Sequence, residues 1–435
     1  MKKRILQLLQ KGQRTINKIQ ESKDKQAYYI MVGLTAGAVS GLGLKMFSVE
    51  VFCLLEEGII DPIIVIFMKA LGMMVAPVIF FAVIAGITNL SETADVGKLG
   101  GRLAWQSAVL MLLVAALSTG LALLFFRDNL PSLALLFENP GDEIAGTNFS
   151  FKNIVMDIVP GNLVEPFKGD NLLQILFLSV FFGLVLNRLK EKAHLAKEII
   201  ELMNGFCAEV MDILARCIPF IVFLSLTELF FRLDMEMALT FGKVIMGNVL
   251  AIPLCLGLFA VLLAIWGRIS PWEYLKKMTA FAPVPLATSS SNAALPQTIR
   301  LATEKLGVAP ELASFSLPVG IQLHQAGTCF FLALPAMMMA RVYSMPVTSD
   351  FLGCLFLSVF VMAYTMPPVP GAGVICLGSV FAAIGVPVSD VAFFLCIDPL
   401  IDMLNTVANV FCNVFSTILV AQKNDMWDED VYRKL

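Results

Sequence analysis

Nine long apolar segments decide what this chain can fold into: residues 27–47, 63–90, 103–126, 172–189, 203–231, 237–267, 312–340, 351–386 and 388–422. Each is long enough to cross a hydrocarbon core, which needs roughly 20 apolar residues. Only 15% of the 435 residues are charged and 58% are hydrophobic, where a soluble domain carries about 25% charged residues. The chain therefore reads as an all-α polytopic membrane protein. Several segments exceed one crossing, which implies tilt, or two half-crossings joined by a break.

Charge placement orients the spans. Residues 1–26 are basic and amphipathic, with Lys2, Lys3, Arg4, Lys11, Arg14, Lys18, Lys23 and Lys25. They contain no signal-peptide core, so they are expected to stay on the protein at the inner membrane surface. Loop 48–61 carries Glu50, Glu56, Glu57 and Asp61 without Lys or Arg. Lys98 and Arg102 follow, then an acidic stretch at 128–170, then Arg188, Lys190, Lys192 and Lys197. This alternation obeys the positive-inside rule: a multi-pass protein of the inner cell membrane with cytoplasmic termini. No basic patch suggests a nucleic-acid partner, and membrane lipid is the expected surroundings. The nine cysteines stand singly without a CxxC, which argues against a disulfide framework or a metal site. There is no nucleophile–His–acid set, no metal-ligand spacing and no nucleotide loop, so neither an enzyme nor a cofactor is expected.

Up to about residue 267 the chain reads as plain membrane helices. From 268 onward the grammar changes. Residues 272–300 are interrupted by Pro283, Pro285 and the run Ser289, Ser290, Ser291, Asn292. Residues 351–386 are interrupted by Pro367, Pro368, Val369, Pro370, Gly371 and Gly373. Polar backbone at membrane depth is tolerated where it lines a protein-enclosed cavity. A helix broken there aims bare N–H groups and its positive dipole end at that cavity, which suits a carboxylate. Each segment reads as a re-entrant hairpin followed by a helix with polar residues, and the unit occurs twice, the trace of an inverted repeat in transporters. The alternative is two ordinary Pro-kinked helices.

The last long segment holds Asp398, Asp402, Asn405, Thr406, Asn409 and Asn413 at steps of three and four, along one helix face. A carboxylate at the bilayer centre costs roughly 2.5–3.5 kcal/mol, so two of them require a ligand, an ion or a partner. Interhelical hydrogen bonding accounts for a single Asn or Thr better than for the whole stripe. The companion segment carries Gly320, Gln322, His324, Gln325, Gly327 and Thr328. Its glycines suggest local unwinding that frees carbonyls for a ligand or cation. His324, one of two histidines, is either a proton carrier or a hydrogen-bonded structural residue.

These residues resemble the dicarboxylate/amino acid:cation symporter family, the glutamate and neutral amino acid transporters, over roughly residues 27–422. The resemblance rests on the serine-rich tip ending Leu295-Pro296, the tip Val369-Pro370-Gly371-Ala372-Gly373, and the pattern formed by Asp398, Asp402, Met403, Thr406 and Asn409. It implies a homotrimer with eight transmembrane helices and two re-entrant helical hairpins, working as an elevator. On that plan residues 1–26 are a cytoplasmic arm, and 27–90 and 127–233 supply scaffold helices with an outer loop. Residues 91–126 and 234–267 are transport-domain helices, 268–309 and 343–387 the hairpins, 310–342 and 388–422 the last two helices, and 423–435 a cytoplasmic tail. Carried over by position, Asp402 binds an α-amino group. Asn409 and the Ser290–Ser291 region bind the α-carboxylate, flanked by Ser289 and Asn292. Thr406 and Thr328 line the pocket, and Val369, Pro370 and Gly371 form the gate.

The departures point to a changed substrate and coupling ion. The family's acidic amino acid carriers have an Arg at the position of Asn405, and Asn cannot supply that bidentate charge. The family's sodium-binding carboxylates are absent at Ala326 and Asn413, and Leu110 and Met111 stand where it has a Thr-Ser pair. A site near Gln322 is the remaining candidate for sodium. Hard cations want oxygen ligands and negative charge. The resulting expectation is a transporter of a small neutral amino acid with weak or absent sodium coupling. Asp398, Asp402 and His324 are its candidate proton carriers. A cation-coupled carrier of dicarboxylates or acidic amino acids is the alternative, and a transport-dead sensor or an ion channel on the same fold is a further rival.

Overall fold

The computed structural model describes residues 29, 32–33, 35–45, 55–89, 94–130, 159–168, 172–232, 235–366, 372–395 and 397–433. The basic stretch 1–26, most of the acidic stretch 128–170, and the tip residues Val369, Pro370 and Gly371 lie outside the described residues. Among the described residues the structure is helical, without a strand beyond one isolated bridge between Val308 and Trp427.

In chain order the helices are α1 (Thr35–Leu44), α2 (Asp61–Asn89) after a π-turn at Glu56–Ile60, and α3 (Ala94–Phe125). Next come α4 (Leu172–Leu189), α5 (His194–Ala215), α6 (Ile218–Arg232) and α7 (Met235–Leu262), which ends in a π-turn at Leu263–Gly267. Three short helices follow: α8 (Pro271–Phe281), α9 (Pro283–Thr288) and α10 (Ser291–Glu304). Then come α11 (Pro310–Leu323), α12 (Ala326–Val342), α13 (Ser349–Thr365), α14 (Ala372–Ile384), α15 (Asp398–Lys423) and α16 (Glu429–Arg433).

Several apolar segments divide further than their hydropathy shows. Segment 203–231 is cut between α5 and α6, and 312–340 between α11 and α12. Segment 388–422 opens as a 3-10 turn at Val388–Phe394 before α15 starts at Asp398. Pro399 in the first turn of α15 explains the restart, because a helix tolerates proline there and not farther in.

The chain forms two compact units, Met1–Phe67 with Leu214–Arg232, and Met68–Ile213 with Leu233–Leu435. In the first, α1 lies against α6 through a glycine stripe. A Cβ at Gly33, Gly37 or Gly41 would stand 2.5, 2.7 or 2.5 Å from the carbonyl oxygens of Pro219, Phe223 and Thr227. Both sets advance by four residues, so the two backbones touch along their length. Lipid tails are as apolar as leucine, so helix pairs in membranes rely on such close approach.

In the second unit α12 is the centre. It packs against α3, α7, α13, α14 and α15, and it has no polar face. A helix that is apolar all round belongs inside. The most apolar windows of Pro310–Val342 and Asp398–Lys423 are 94% and 89% buried, against 39% and 33% for Gly101–Phe125 and Met237–Gly267. Helices α11, α12 and α15 thus form the protein-lined interior, while α3 and α7 turn apolar flanks outward. The C-terminal segment straps the base of α8–α10. Asp428 N–H donates to Gly307 O at 2.7 Å, Ala309 N–H to Met426 O at 2.9 Å, and the Trp427 indole to Leu306 O at 2.9 Å. The Tyr432 hydroxyl donates to Ser270 O at 2.7 Å. Lys277 Nζ donates to the carbonyls of Lys305 and Tyr432 and lies 5.3 Å from the centre of the Tyr432 ring.

Candidate functional site

The serine run is where helix stops and restarts. A first, mild boundary falls at Ala282, where α8 gives way to α9 at Pro283 with the backbone still in the helical region; Pro285 lies within α9. Ser289 caps α9 in the left-handed region, φ 45°, and Ser290 is extended, φ −156°. A left-handed serine is locally unfavourable and persists only where its surroundings impose it. Ser290 Oγ accepts from Ala293 N–H at 3.4 Å and Thr288 Oγ1 donates to Ser290 O at 3.3 Å. The first N–H groups of α10, at Ser291 and Asn292, have no partner within the helix, as at every helix start. Ser289, Ser290 and Ser291 are half-buried and Asn292 is exposed. Helices α9 and α10 both pack against α15, the helix that carries the polar stripe.

The second break falls between α11 and α12, at His324 (φ −117°, ψ 78°) and Gln325 (φ −103°, ψ 51°). The chain thus unwinds between Gly320 and Gly327, which themselves lie within helices and allow close approach. A Cβ on Gly327 would sit 2.4 Å from Asn405 Cα, and one on Gly320 would sit 1.8 Å from Asn413 Oδ1. Asn409 fills the gap in backbone pairing: its Oδ1 accepts from Gly327 N–H at 2.8 Å and its Nδ2 donates to Gln325 Oε1 at 2.6 Å. Gln325 Oε1 also accepts from Thr328 Oγ1 at 3.4 Å, and Gln325 Nε2 donates to Ile321 O at 3.1 Å. One turn on, Asn413 Nδ2 donates to Leu317 O at 2.8 Å, and beyond it Ser316 Oγ donates to Thr417 Oγ1 at 3.0 Å. The stripe on α15 therefore stitches the broken α11–α12 pair.

Two amide oxygens in this region, Asn405 Oδ1 and Asn413 Oδ1, are buried without a hydrogen-bond partner. A buried acceptor left unpaired costs about 1–3 kcal/mol; Asn413 Oδ1 is packed against Gly320. Thr406 Oγ1 donates to Asp402 O at 2.8 Å. Asp398 is half-buried, and a Cβ on Gly373 in the first turn of α14 would lie 3.4 Å from its Oδ1. Asp402 is exposed. Neither carboxylate has a hydrogen-bonding or ionic partner among the described residues.

His324 is fully buried and turns away from the carboxylates towards α3. Its Nδ1 lies 3.0 Å from Gly320 O and its Nε2 2.8 Å from Ser107 Oγ. A carbonyl only accepts, so Nδ1 carries hydrogen. The Ser107 hydroxyl also reaches Leu103 O at 2.6 Å, so with a neutral ring one hydrogen serves two acceptors. Gln322 is exposed and stands apart from this group. Sequence reading passed over Ser107 and gave Gln325 no role. Gln325 adjoins His324 in the sequence, but its partner on α15 is 84 residues away. No local pattern marks Ser107.

Residues 27–423 match the model of the sodium:dicarboxylate symporter family. The chain is 26% identical over 381 residues to C4-dicarboxylate transport protein 1 of Polaromonas naphthalenivorans, covering 82% of this chain and 80% of that protein. It is 24% identical over 371 residues to the C4-dicarboxylate transport protein of Bacillus subtilis, covering 83% and 87%. It is 25% identical over 417 residues to the proton/sodium-glutamate symport protein of Bacillus caldotenax, covering 93% and 96%. With its apolar helices and polar broken interior, the chain is an integral membrane transporter rather than an enzyme, and it belongs to the sodium:dicarboxylate symporter family.

Proposed function

We propose that the protein is a cation-coupled symporter of a small dicarboxylate or glutamate. The family match across residues 27–423 carries this reading, together with relatives named for C4-dicarboxylates and for glutamate. Those names favour the acidic substrate over the neutral amino acid expected from Asn405, and they do not support weak sodium coupling. The site also gives a reason for coupling. Two carboxylates one helical turn apart, with no positive partner among the described residues, repel a dianion entering alone. A cation that enters with the substrate removes that repulsion, so neither species binds well without the other.

On this reading the N–H groups and hydroxyls of Ser289, Ser290, Ser291 and Asn292 receive a substrate carboxylate. Asp402 receives an amino group where the substrate has one, and Thr328, Asn405 and Thr406 line the space. Asn409 belongs to the same wall, with its amide engaged by Gln325 and Gly327. Val369, Pro370 and Gly371 gate the site in a second hairpin, and the protein works as a homotrimeric elevator. Gln322, Asp398 and Asn413 are candidate positions for the coupling cation. His324 is the candidate for a proton, because a second ring hydrogen would satisfy Ser107 and Leu103 together.

The second reading, a small neutral amino acid, is favoured by Asn405, which is buried with its Oδ1 unpaired where a second substrate carboxylate would want a cation. Uptake by purified protein in liposomes decides between them. Labelled succinate, glutamate, serine and alanine are offered under an inward sodium gradient, a proton gradient, or neither. Accumulation of succinate or glutamate driven by either gradient supports the first reading. Accumulation of serine or alanine alone transfers the case to the second.

A further inference from the structure

Away from the polar interior, α3 and α15 enclose a cavity of about 350 Å³ lined by Arg102, Trp105, Gln106, Val420 and Lys423. It sits at the ends of two apolar runs, since Arg102 directly precedes segment 103–126 within α3 and Lys423 directly follows segment 388–422. The floor is fixed by Gln106, whose Nε2 donates to Ser416 O at 3.1 Å and Ser416 Oγ at 3.3 Å. Arg102 is aimed by Asn424: Nη1 donates to Asn424 Oδ1 at 2.5 Å, while Asn424 Nδ2 donates to Val420 O at 2.6 Å. That contact uses one of the five guanidinium hydrogens. Neither Arg102 nor Lys423 is in an ion pair among the described residues, and the neighbouring Asp425 pairs with neither. Trp105 is 75% exposed one turn along α3 from Arg102.

Two cations with no carboxylate paired to them among the described residues, at the rim of a membrane protein, leave a concentrated positive field beside lipid headgroups. Basic pockets between transmembrane helices suit anionic headgroups. Arg offers phosphate a bidentate fork and Lys adds a point charge. A tryptophan at a span end sits where chain and headgroup meet. We propose that this cavity binds the phosphate of an anionic phospholipid, held by Arg102 and Lys423 with Trp105 at the headgroup boundary. The bound lipid braces α3 against α15, and α15 carries the polar stripe. The proposal does not depend on which substrate is carried.

The test uses full-length protein, stripped of lipid in detergent and titrated with phosphatidylglycerol, phosphatidylcholine, or inorganic phosphate while thermal unfolding is followed. Phosphatidylglycerol is expected to raise the melting temperature at concentrations where phosphatidylcholine does not. The double variant Arg102→Gln with Lys423→Gln should need about tenfold or more phosphatidylglycerol for the same shift. Arg102→Lys should keep part of the response. Both side chains are exposed, so the fold does not depend on them. A photoactivatable phosphatidylglycerol analogue on the unmodified protein gives a second reading, and its cross-links should fall within residues 102–106 and 420–424. Equal shifts from both lipids, an unchanged response in the double variant, or cross-links elsewhere would overturn the proposal. Inorganic phosphate acting as well as phosphatidylglycerol would overturn the lipid assignment and leave a free-phosphate site.

Discussion

On the proposed reading, Asn405 is the residue on which substrate choice would turn. It is buried, its amide oxygen is unpaired, and Asp398 and Asp402 lie on the same helix without positive partners. Asn405→Arg places a guanidinium there. It should strengthen competition by aspartate and glutamate at least about tenfold relative to serine, since charged hydrogen bonds contribute about 1.5–3 kcal/mol. Competition measured by inhibition of uptake checks this, and unchanged ratios would mean that the side chain does not face the substrate. The stripe that holds Asn405 was legible because three- and four-residue steps mark one helix face. The Asn409–Gln325 and Asn413–Leu317 pairings were not, because they join residues far apart in the chain. The unwinding between Gly320 and Gly327 was legible, falling at His324 and Gln325, but the room that both glycines make for α15 was not.

Elements were legible where one apolar run makes one helix, as in 172–189, which is α4 to the residue. Hydropathy failed where two helices share a run, because a junction of two residues is lost in a long apolar average: Arg216 and Cys217 between α5 and α6, His324 and Gln325 between α11 and α12. In the α1–α6 pair, Gly37→Leu forces the backbones apart and should cost several kcal/mol, in line with overpacking penalties of about 1–3 kcal/mol for milder insertions. A lower yield of folded protein and a lower melting temperature would register it. A different element junction carries a pH signature. Asp390, in the 3-10 turn before α15, accepts from the Tyr343 hydroxyl at 2.5 Å. Burial raises its pKa above the ordinary carboxylate value, only partly offset by hydrogen bonds from Tyr343 and Ser389. A raised folded value means that the contribution to stability is full below the unfolded pKa and is lost as pH rises through the folded one. Melting temperature should therefore fall with pH across that interval, and Asp390→Asn should flatten the slope. An unaltered slope in the variant would assign it to other groups.

At the scale of the whole chain, burial separates an interior of α11, α12 and α15 from flanks of α3 and α7 that face outward. That division was only half legible: the two outward-facing regions are the more apolar and the two buried ones carry the polar residues, but all four are apolar enough to cross a membrane, and which of them lies inside depends on neighbours. The C-terminal strap was not legible at all, because residues 423–435 look like an ordinary polar tail. Tyr432 is 1% exposed there. Tyr432→Ala should cost about 3–5 kcal/mol if the cavity does not collapse, and hydrogen exchange should quicken in residues 271–307 before it does in α12. Protection that stays equal in both regions would show that the strap is not what holds the base of α8–α10. The strap also has a meaning in time. Translation proceeds from the N-terminus, so Ser270, Lys277 and Gly307 enter the membrane well before Trp427 and Tyr432 exist. A chain stopped just after residue 423 already has every apolar span, yet it lacks the residues that fasten the base of α8–α10, so that fastening is the last step the growing chain can take.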